Sequence, residues 1–453
     1  MEDYSRLDLF RYIDLILVPV FLYLIYLYLN FLVKTKYKNK PYANFLYPLV
    51  IIHLVSSITT GMLARYYYNN NGDTLMYYDG SATIVELFSE NPQNVFNFLS
   101  LSTEEQETYS LNYPNYWYFT ATTTTKVIQL SAPFYVLTGG SYIGIGFVFS
   151  LFSAWGCWRM YKTFLYFYPY LYKELAYGVL FMPSTLYWGS GLLKDPLSLG
   201  GLGLFFYAAT NIFYFKKNIL SNLFMLIIGF YAAYFIKPYI ILLFIPFFSL
   251  WLFLNYKEKI KSKLIRQLVT PILVTVIVLV GYPILTNFAS SLSFDVSNLG
   301  ENVQKNIEGY ANEGGGGIVD LGEIDPTPMG ILKLLPKAIN ATLFRPYLWE
   351  VKNPLQAIAA LESLIIFAFM IYTFIKIGFL KSIAEIFKDR TVMLCILFSI
   401  AFSAMVGLTT FNFGTISRYR IPCIPFIMAG LIIIRFKYKS KKKVRKNQNR
   451  IDA

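Results

Sequence analysis

Charged residues beside long apolar runs are the candidates for chemistry in this sequence. The segment NNNGDTLMYYDG carries Asp73 and Asp79 shortly after an apolar run, and Arg65 lies just before it. In WGSGLLKDPLSLGG, Lys194 and Asp195 occupy a short link between two apolar runs. A charge near a membrane core is expensive to bury and usually has a partner, so these residues indicate a binding or catalytic site. The structural alternatives are a solvated loop, a helix cap at Asp73 and a surface ion pair in the second link.

Four further cations lie at the ends of apolar runs. Lys237 in YFIKPYI and Arg345 in LFRPYLWE each precede a proline, which interrupts a helix. Arg418 and Arg420 lie in FNFGTISRYRIPCIP at the start of the last apolar run. Snorkelling of these side chains to lipid headgroups is the structural alternative. Because a guanidinium pairs bidentately with phosphate, the cations predict an anionic ligand such as a lipid phosphate.

Carboxylates and cations of this kind suit group transfer from a lipid-linked phosphate. A carboxylate can accept the proton of a hydroxyl as that hydroxyl attacks a sugar C1. Arginine or lysine can stabilise the charge that develops on the departing phosphate. Both groups must then lie near one point, which predicts that these distant segments meet in one cavity.

The elements that must position these residues are transmembrane helices. Hydrophobic residues make up 56% and charged residues 15% of the 453 positions, and about 20 apolar residues in a row are needed for a helix to cross the hydrocarbon core. The sequence predicts an all-α, polytopic bundle of about eleven spans that forms a single integral-membrane domain over residues 1–453. The predicted spans lie near residues 11–33, 46–66, 140–161, 174–190, 197–214, 219–236, 239–256, 268–288, 355–377, 391–411 and 421–436.

The basic loops predict the orientation of the bundle. Short loops rich in lysine and arginine stay in the cytoplasm. This assigns to the inside residues 34–40, 159–173, 216–217, 257–266 and 376–390 and the basic tail 437–453. The N-terminus is then outside, and most of the acidic residues fall on the outer side. The net charge of +14 is explained by these loops and the tail, so no nucleic-acid partner is predicted.

Two predicted external segments are too long to be turns. Residues 67–139 contain gapped apolar and aromatic stretches that predict helices lying in the membrane interface. Residues 289–354 form the second large external loop and include four consecutive glycines. Segments of this length are usually functional or disordered.

The remaining candidate ligands have a structural interpretation. The three cysteines lie in or beside apolar runs with no metal-like spacing, and the single histidine, His53, falls within a predicted span. We interpret all four as core residues.

Three short motifs resemble the C-type integral-membrane glycosyltransferases, in particular the multispanning proteins of bacterial polysaccharide clusters that use polyprenyl-phosphate sugars. The motifs are NNNGDTLMYY, FMPSTLYWGSGLLKDP and RYRIPCIP. The resemblance implies that Asp73 is a catalytic base or metal ligand and that Asp195 is the second external acid. It also allows a divalent metal, although no Asp-Asp or Asp-Glu pair follows the first span. Arg65, Asp79 and the cations named above are then the expected substrate-binding residues.

The expected function is sugar transfer on the outer face of a bacterial cytoplasmic membrane, from a polyprenyl-linked donor to a glycan or glycolipid acceptor among membrane lipids. A polymerase or ligase of lipid-linked repeat units is the nearest alternative. A polysaccharide or lipid transporter is the alternative from another class, and it predicts broken helices and ionisable groups at mid-membrane. Glu362 is the one acid well within a predicted span, and the other charges gather at one boundary, which favours an enzyme.

Overall fold

In a computed structural model, the described residues are 8–69, 72–93, 105, 119, 122–257, 317, 319, 328–410 and 412–451. Within them the regular elements are helical, as the apolar runs predict. The helices, in chain order, are α1 Asp14–Lys34, α2 Leu46–Met62, α3 Asp73–Glu90, α4 Thr122–Leu137, α5 Tyr142–Phe167, α6 Tyr172–Val179, α7 Pro183–Trp188, α8 Lys194–Ala209, α9 Ile219–Tyr234, α10 Pro238–Tyr256, α11 Pro328–Phe344, α12 Pro354–Ile377, α13 Phe379–Lys388, α14 Arg390–Thr409, α15 Phe413–Tyr419 and α16 Ile424–Ile451.

Seven of the helices in the described part of the chain are long and apolar enough to cross a membrane, or eight if one bent pair counts as a span. This agrees with a polytopic helical membrane protein. The seven are α1, α2 with its flanking turns, α5, α8 with a following π-helical segment, α10, α12 and α14. The bent pair is α15 and α16, whose axes differ by 65°.

The predicted count of about eleven spans is not confirmed. The span expected at 174–190 is two short helices, α6 and α7, because Pro183 removes a backbone donor and begins a new helix. The span expected at 219–236 is α9, which has 16 residues and falls below the length of a full crossing. The span expected at 268–288 lies outside the described residues.

The chain divides into two compact units. The first comprises Met1–Met160, Leu186–Ala208 and Leu220–Pro238. Within it, α3 packs against α4, where the hydroxyls of Ser81 and Ser131 lie 2.5 Å apart. The residues of α3 from 77 to 84 are all buried. The described part of the segment 67–139 therefore contains a helix that packs within its unit. The interfacial helices expected in this segment stay a prediction.

Helix α8 is held in the first unit by backbone contacts at glycines. A Cβ atom added to Gly156 of α5 would lie 2.1 Å from the carbonyl oxygen of Gly200, and one added to Gly203 would lie 2.2 Å from that of Gly156. On the other side, a Cβ atom on Gly201 would lie 2.7 Å from the carbonyl oxygen of Gly229 in α9. Small residues permit this approach between membrane helices. The backbone of α8 thus lies in direct contact with α5 on one side and with α9 on the other.

The second unit comprises Tyr161–Thr185, Ala209–Ile219 and Tyr239–Ala453. Helix α14 lies at its centre and packs against α11 and α16. Its N-terminus is capped by Asp389, which accepts hydrogen bonds from the backbone N–H of Thr391 at 2.9 Å and from the Tyr168 hydroxyl at 2.8 Å. Helix α13 connects α12 to α14 and contacts both, as well as α16.

Candidate functional site

The first turn of α8 holds one half of a buried ion pair. Asp195 is the second residue of that helix, and its Oδ1 lies 2.6 Å from Nζ of Lys237; the two side chains are 1% and 8% exposed. Lys237 occupies the break between α9 and α10, where Pro238 begins the next helix. Charges so deeply buried are costly unless they are paired. The pair therefore fixes the start of α8 to the chain that follows α9.

Lys194 reaches two further helices from the same turn. Its Nζ donates to the hydroxyls of Thr123 at 2.9 Å and Thr124 at 3.1 Å, at the start of α4. The same ammonium lies 5.8 Å from the centre of the Tyr77 ring on α3. An ammonium offers three N–H donors and is attracted to an aromatic face, so both kinds of contact are favourable. The starts of α4 and α8 and the second turn of α3 thus meet around one cation.

A third lysine, Lys126, lies on α4, three residues after Thr123. Its Nζ lies 5.0 Å from the ring centre of Phe235, two residues before Lys237. We call Lys126, Lys194, Lys237 and Asp195, with the two threonine hydroxyls, the lysine cluster. Lys126 is not among the predicted site residues. The signal for it in the sequence is a cation between a threonine run and the apolar stretch VIQL.

The predicted carboxylates Asp73 and Asp79 lie on α3. Asp73 is the first residue of α3 and is partly exposed, whereas Asp79 is buried. Asp73 and Tyr77 are four residues apart and so share one face of the helix. The Asp73 carboxylate therefore lies one turn from the ring that faces Lys194. Arg65 is partly exposed in the short π-helical segment that follows α2.

In the second unit, the predicted cation Arg420 is enclosed together with Glu362. Both side chains are 0% exposed, and Nη2 of Arg420 lies 2.9 Å from Oε1 of Glu362. Glu362 also accepts hydrogen bonds from the N–H and the hydroxyl of Ser184, at 2.7 and 2.6 Å. The Arg420 guanidinium donates to Ser363 Oγ at 2.7 Å and to the Arg345 carbonyl oxygen at 3.1 Å. These bonds connect α7, α12 and the end of α11 to the bend between α15 and α16, so the geometry favours a structural role for Arg420.

The side chain of Arg345 is paired with Glu350. Its Nε lies 3.0 Å from Oε1 and 3.1 Å from Oε2, and its Nη2 donates to Oε1 as well. Partial burial opposes ionisation of Glu350, but the hydrogen bonds from Arg345 and from the Tyr347 N–H outweigh it and lower the pKa of Glu350. The last predicted cation, Arg418, is partly exposed on α15.

The structure thus brings Lys194, Asp195 and Lys237 together in the first unit, beside the helix that carries Asp73 and Asp79. It joins Arg345 to Arg420 in the second unit. The meeting of these two groups in one cavity stays a prediction.

The structure agrees with the interpretation of His53 and the three cysteines as core residues. His53 is buried, and its Nδ1 lies 2.8 Å from Ser190 Oγ and 3.1 Å from the Gly189 carbonyl oxygen. The three cysteines are buried and unbridged. Across the described ranges, no three His, Cys, Asp or Glu side chains come close enough to hold a metal ion. The described residues therefore do not fit the divalent metal that the resemblance allows.

Comparison with known proteins adds no family to this description. No protein-family model matches the chain, and searches of the curated proteins and of the solved structures find no match.

Proposed function

We propose that this protein is a membrane glycosyltransferase that transfers a hexose from a polyprenyl-phosphate-linked donor to a glycan or glycolipid acceptor. The observation that carries the proposal is the lysine cluster, in which a buried Asp195–Lys237 pair stands beside the Lys194 ammonium. A donor of this class presents a phosphate at the membrane boundary, and a protein that binds it needs cations held in place there. From the predicted topology, we place the reaction on the outer face of the cytoplasmic membrane.

In the reaction we propose, the acceptor hydroxyl oxygen forms a bond to C1 of the sugar as the bond from C1 to the phosphate oxygen breaks. The hydroxyl proton passes to a carboxylate, and the polyprenyl phosphate leaves with the electrons of the broken bond. Asp73 is the better placed base, because it is partly exposed at the start of α3. The Asp195 carboxylate, predicted as the second acid, is already engaged by the Lys237 ammonium.

In this proposal, Lys194 and Lys126 contact the phosphate of the donor. Lys194 is partly exposed and its contacts with two threonine hydroxyls orient the ammonium before the donor arrives. Preorganised charges of this kind stabilise the developing phosphate without a cost of reorientation at the moment of reaction. Arg345 and Arg418 stay predicted substrate-binding residues, whereas Arg420 acts within the second unit by holding the chain that carries Arg345.

The test measures transfer of labelled sugar from a polyprenyl-phosphate hexose, with membranes that contain the full-length chain. We expect wild-type membranes to move the label into glycan or glycolipid. Asp73→Asn should slow transfer by about 100-fold or more, the usual contribution of a general base. Glu90→Gln is the matched control, since Glu90 is an exposed acid at the other end of the same helix.

Two results would count against this proposal. If Asp73→Asn transfers sugar at the wild-type rate, Asp73 is not the base. If wild-type membranes transfer no sugar from any polyprenyl-phosphate hexose, the enzyme class is wrong. Accumulation of single lipid-linked repeat units in cells that carry Asp73→Asn would instead identify the polymerase alternative.

A transporter is the second candidate, and two observations favour it. The Glu362–Arg420 pair is fully buried inside helices of the bundle, and α15 and α16 form a broken helix with a bend of 65° at Arg420. Buried ionisable groups and discontinuous helices are typical of substrate pathways in transporters. Movement of a lipid-linked glycan across sealed vesicles, with no sugar transfer, would establish this alternative.

A further inference from the structure

Helix α13 is a short connection whose exposed surface is apolar. It begins after Gly378, whose φ of 92° turns the chain sharply from the end of α12. The side chains of Phe379, Leu380 and Phe387 are largely exposed, while Ser382 is buried against its neighbours. Three large apolar side chains exposed on ten residues are unfavourable in water, so this surface requires an apolar environment.

The polar and apolar residues of α13 occupy different faces. Leu380, Ile383 and Phe387 follow the helical spacing of a single stripe. Lys381 and Lys388 lie on another side of the same helix. The acid between them, Glu385, is 3.8 Å from Lys388, which is 67% exposed. The helix is therefore amphipathic, with a net positive polar face beside an apolar one.

Further cations lie on two helices that α13 contacts. On α16, Arg435 donates to the Tyr372 hydroxyl of α12 at 2.8 Å, and its guanidinium lies 4.6 Å from the centre of the Tyr372 ring. Lys376 is one turn after Tyr372, and Lys439 is one turn after Arg435; both are exposed. The cations Lys376, Arg435 and Lys439 thus lie on α12 and α16, two helices adjacent to α13.

We propose that α13 lies in the membrane interface and that its own lysines, Lys381 and Lys388, bind the phosphates of anionic phospholipids with help from the cations of the neighbouring helices. An amphipathic helix with lysines on its polar face is the sequence type that lies in this region. Lipid is the occupant that fits, because the apolar surface of α13 continues an exposed apolar surface on α12 that includes Ile375. The long stems of the lysines reach headgroups while the apolar stripe contacts acyl chains. This inference is independent of the proposed function.

The position of α13 is tested with spin labels on the full-length protein in lipid nanodiscs. All three native cysteines are buried, so a label reacts selectively at a new surface cysteine. We expect a label at Leu380→Cys to be accessible to oxygen dissolved in the lipid, and a label at Lys381→Cys to be accessible to a water-soluble nickel reagent. Equal exposure of both labels to water would overturn the proposal. Protection of Leu380→Cys from both reagents would show that protein covers this face, which would also overturn it.

Headgroup recognition is tested by titrating phosphatidylglycerol, against phosphatidylcholine, into the purified protein and counting retained lipids by native mass spectrometry. The double variant Lys381→Gln/Lys388→Gln should weaken phosphatidylglycerol binding by about 25-fold, since one lysine near an anionic surface contributes about fivefold. Lys36→Gln/Lys38→Gln is the matched control, because these lysines are exposed and follow α1. If the two double variants retain phosphatidylglycerol equally, or if wild type prefers phosphatidylcholine, the proposed headgroup site does not exist.

Discussion

Replacing Lys237 with methionine removes the ammonium that lies 2.6 Å from the Asp195 carboxylate. The side chain of Asp195 is 1% exposed, so water cannot replace the lost charge without opening the unit. Removal of one member of a buried pair costs about 3–5 kcal/mol. At about 2–4 °C per kcal/mol for a unit of this size, the melting temperature should fall by roughly 6–20 °C.

The double variant Asp195→Leu/Lys237→Met tests whether the two side chains interact, because the stability losses of interacting residues do not add. If the two side chains did not interact, Asp195→Leu with Lys237→Met would lose about 6–10 kcal/mol. Because a buried pair replaced by apolar residues of similar volume is often neutral or stabilising, we expect the double variant to recover most of the loss seen in either single variant. The recovered part is the coupling energy of the pair.

Thermal unfolding of the full-length protein in detergent can be followed with a thiol-reactive dye, since the native cysteines are buried until the protein opens. The control cycle uses Glu385 and Lys388, whose charges are 3.8 Å apart and where the lysine is 67% exposed. That pair should show a coupling of less than about 0.5 kcal/mol. Additive losses at Asp195 and Lys237, or a coupling no larger than in the control, would refute the assignment of a buried ion pair.

Two further predictions follow from the geometry. Gly203→Ala should lower the melting temperature strongly, because the new Cβ would lie 2.2 Å from the Gly156 carbonyl oxygen. Gly430→Ala should have a smaller effect, because its Cβ would meet side-chain atoms of Ile396 at 2.8 Å and Cys395 at 3.2 Å and no backbone atom. The pKa of Glu350 is lowered from 4.5 in the folded state, so its stabilising contribution is present above pH 4.5 and is lost as the pH falls through its folded pKa. The difference in melting temperature between wild type and Glu350→Gln should therefore shrink on acidification, and a constant difference would contradict the pairing with Arg345.

The sequence predicts the long apolar helices well and the interrupted ones poorly. The spans expected at 355–377 and 391–411 correspond to α12 and α14 almost residue for residue. The span expected at 174–190 is two helices, because apolar composition reports burial and does not report whether the backbone is continuous. A single proline at position 183 was the available signal.

For the candidate site, sequence reasoning identified charged residues more reliably than their partners. The position of Lys237 before a proline indicates a charge at a helix break, but its pairing with Asp195 depends on how α8 packs against the break after α9. The sequence also places Glu362 within a span and Arg420 at a helix start. Their contact spans 58 residues of chain. Charge pairs of this separation are set by tertiary packing, which no local pattern encodes.

The glycine contacts around α8 restrict which parts of the first unit can move. Helices that meet through side chains can slide as rotamers change, whereas backbones in direct contact have no such freedom. The first turn of α8, which carries Lys194 and Asp195, is therefore held in a fixed position within the first unit. Helices α3 and α4 contact that turn through the side chains of Tyr77, Thr123 and Thr124, so we expect movement there to come from α3 or α4, and a disulfide engineered between those two helices should hinder it while leaving the charged groups intact.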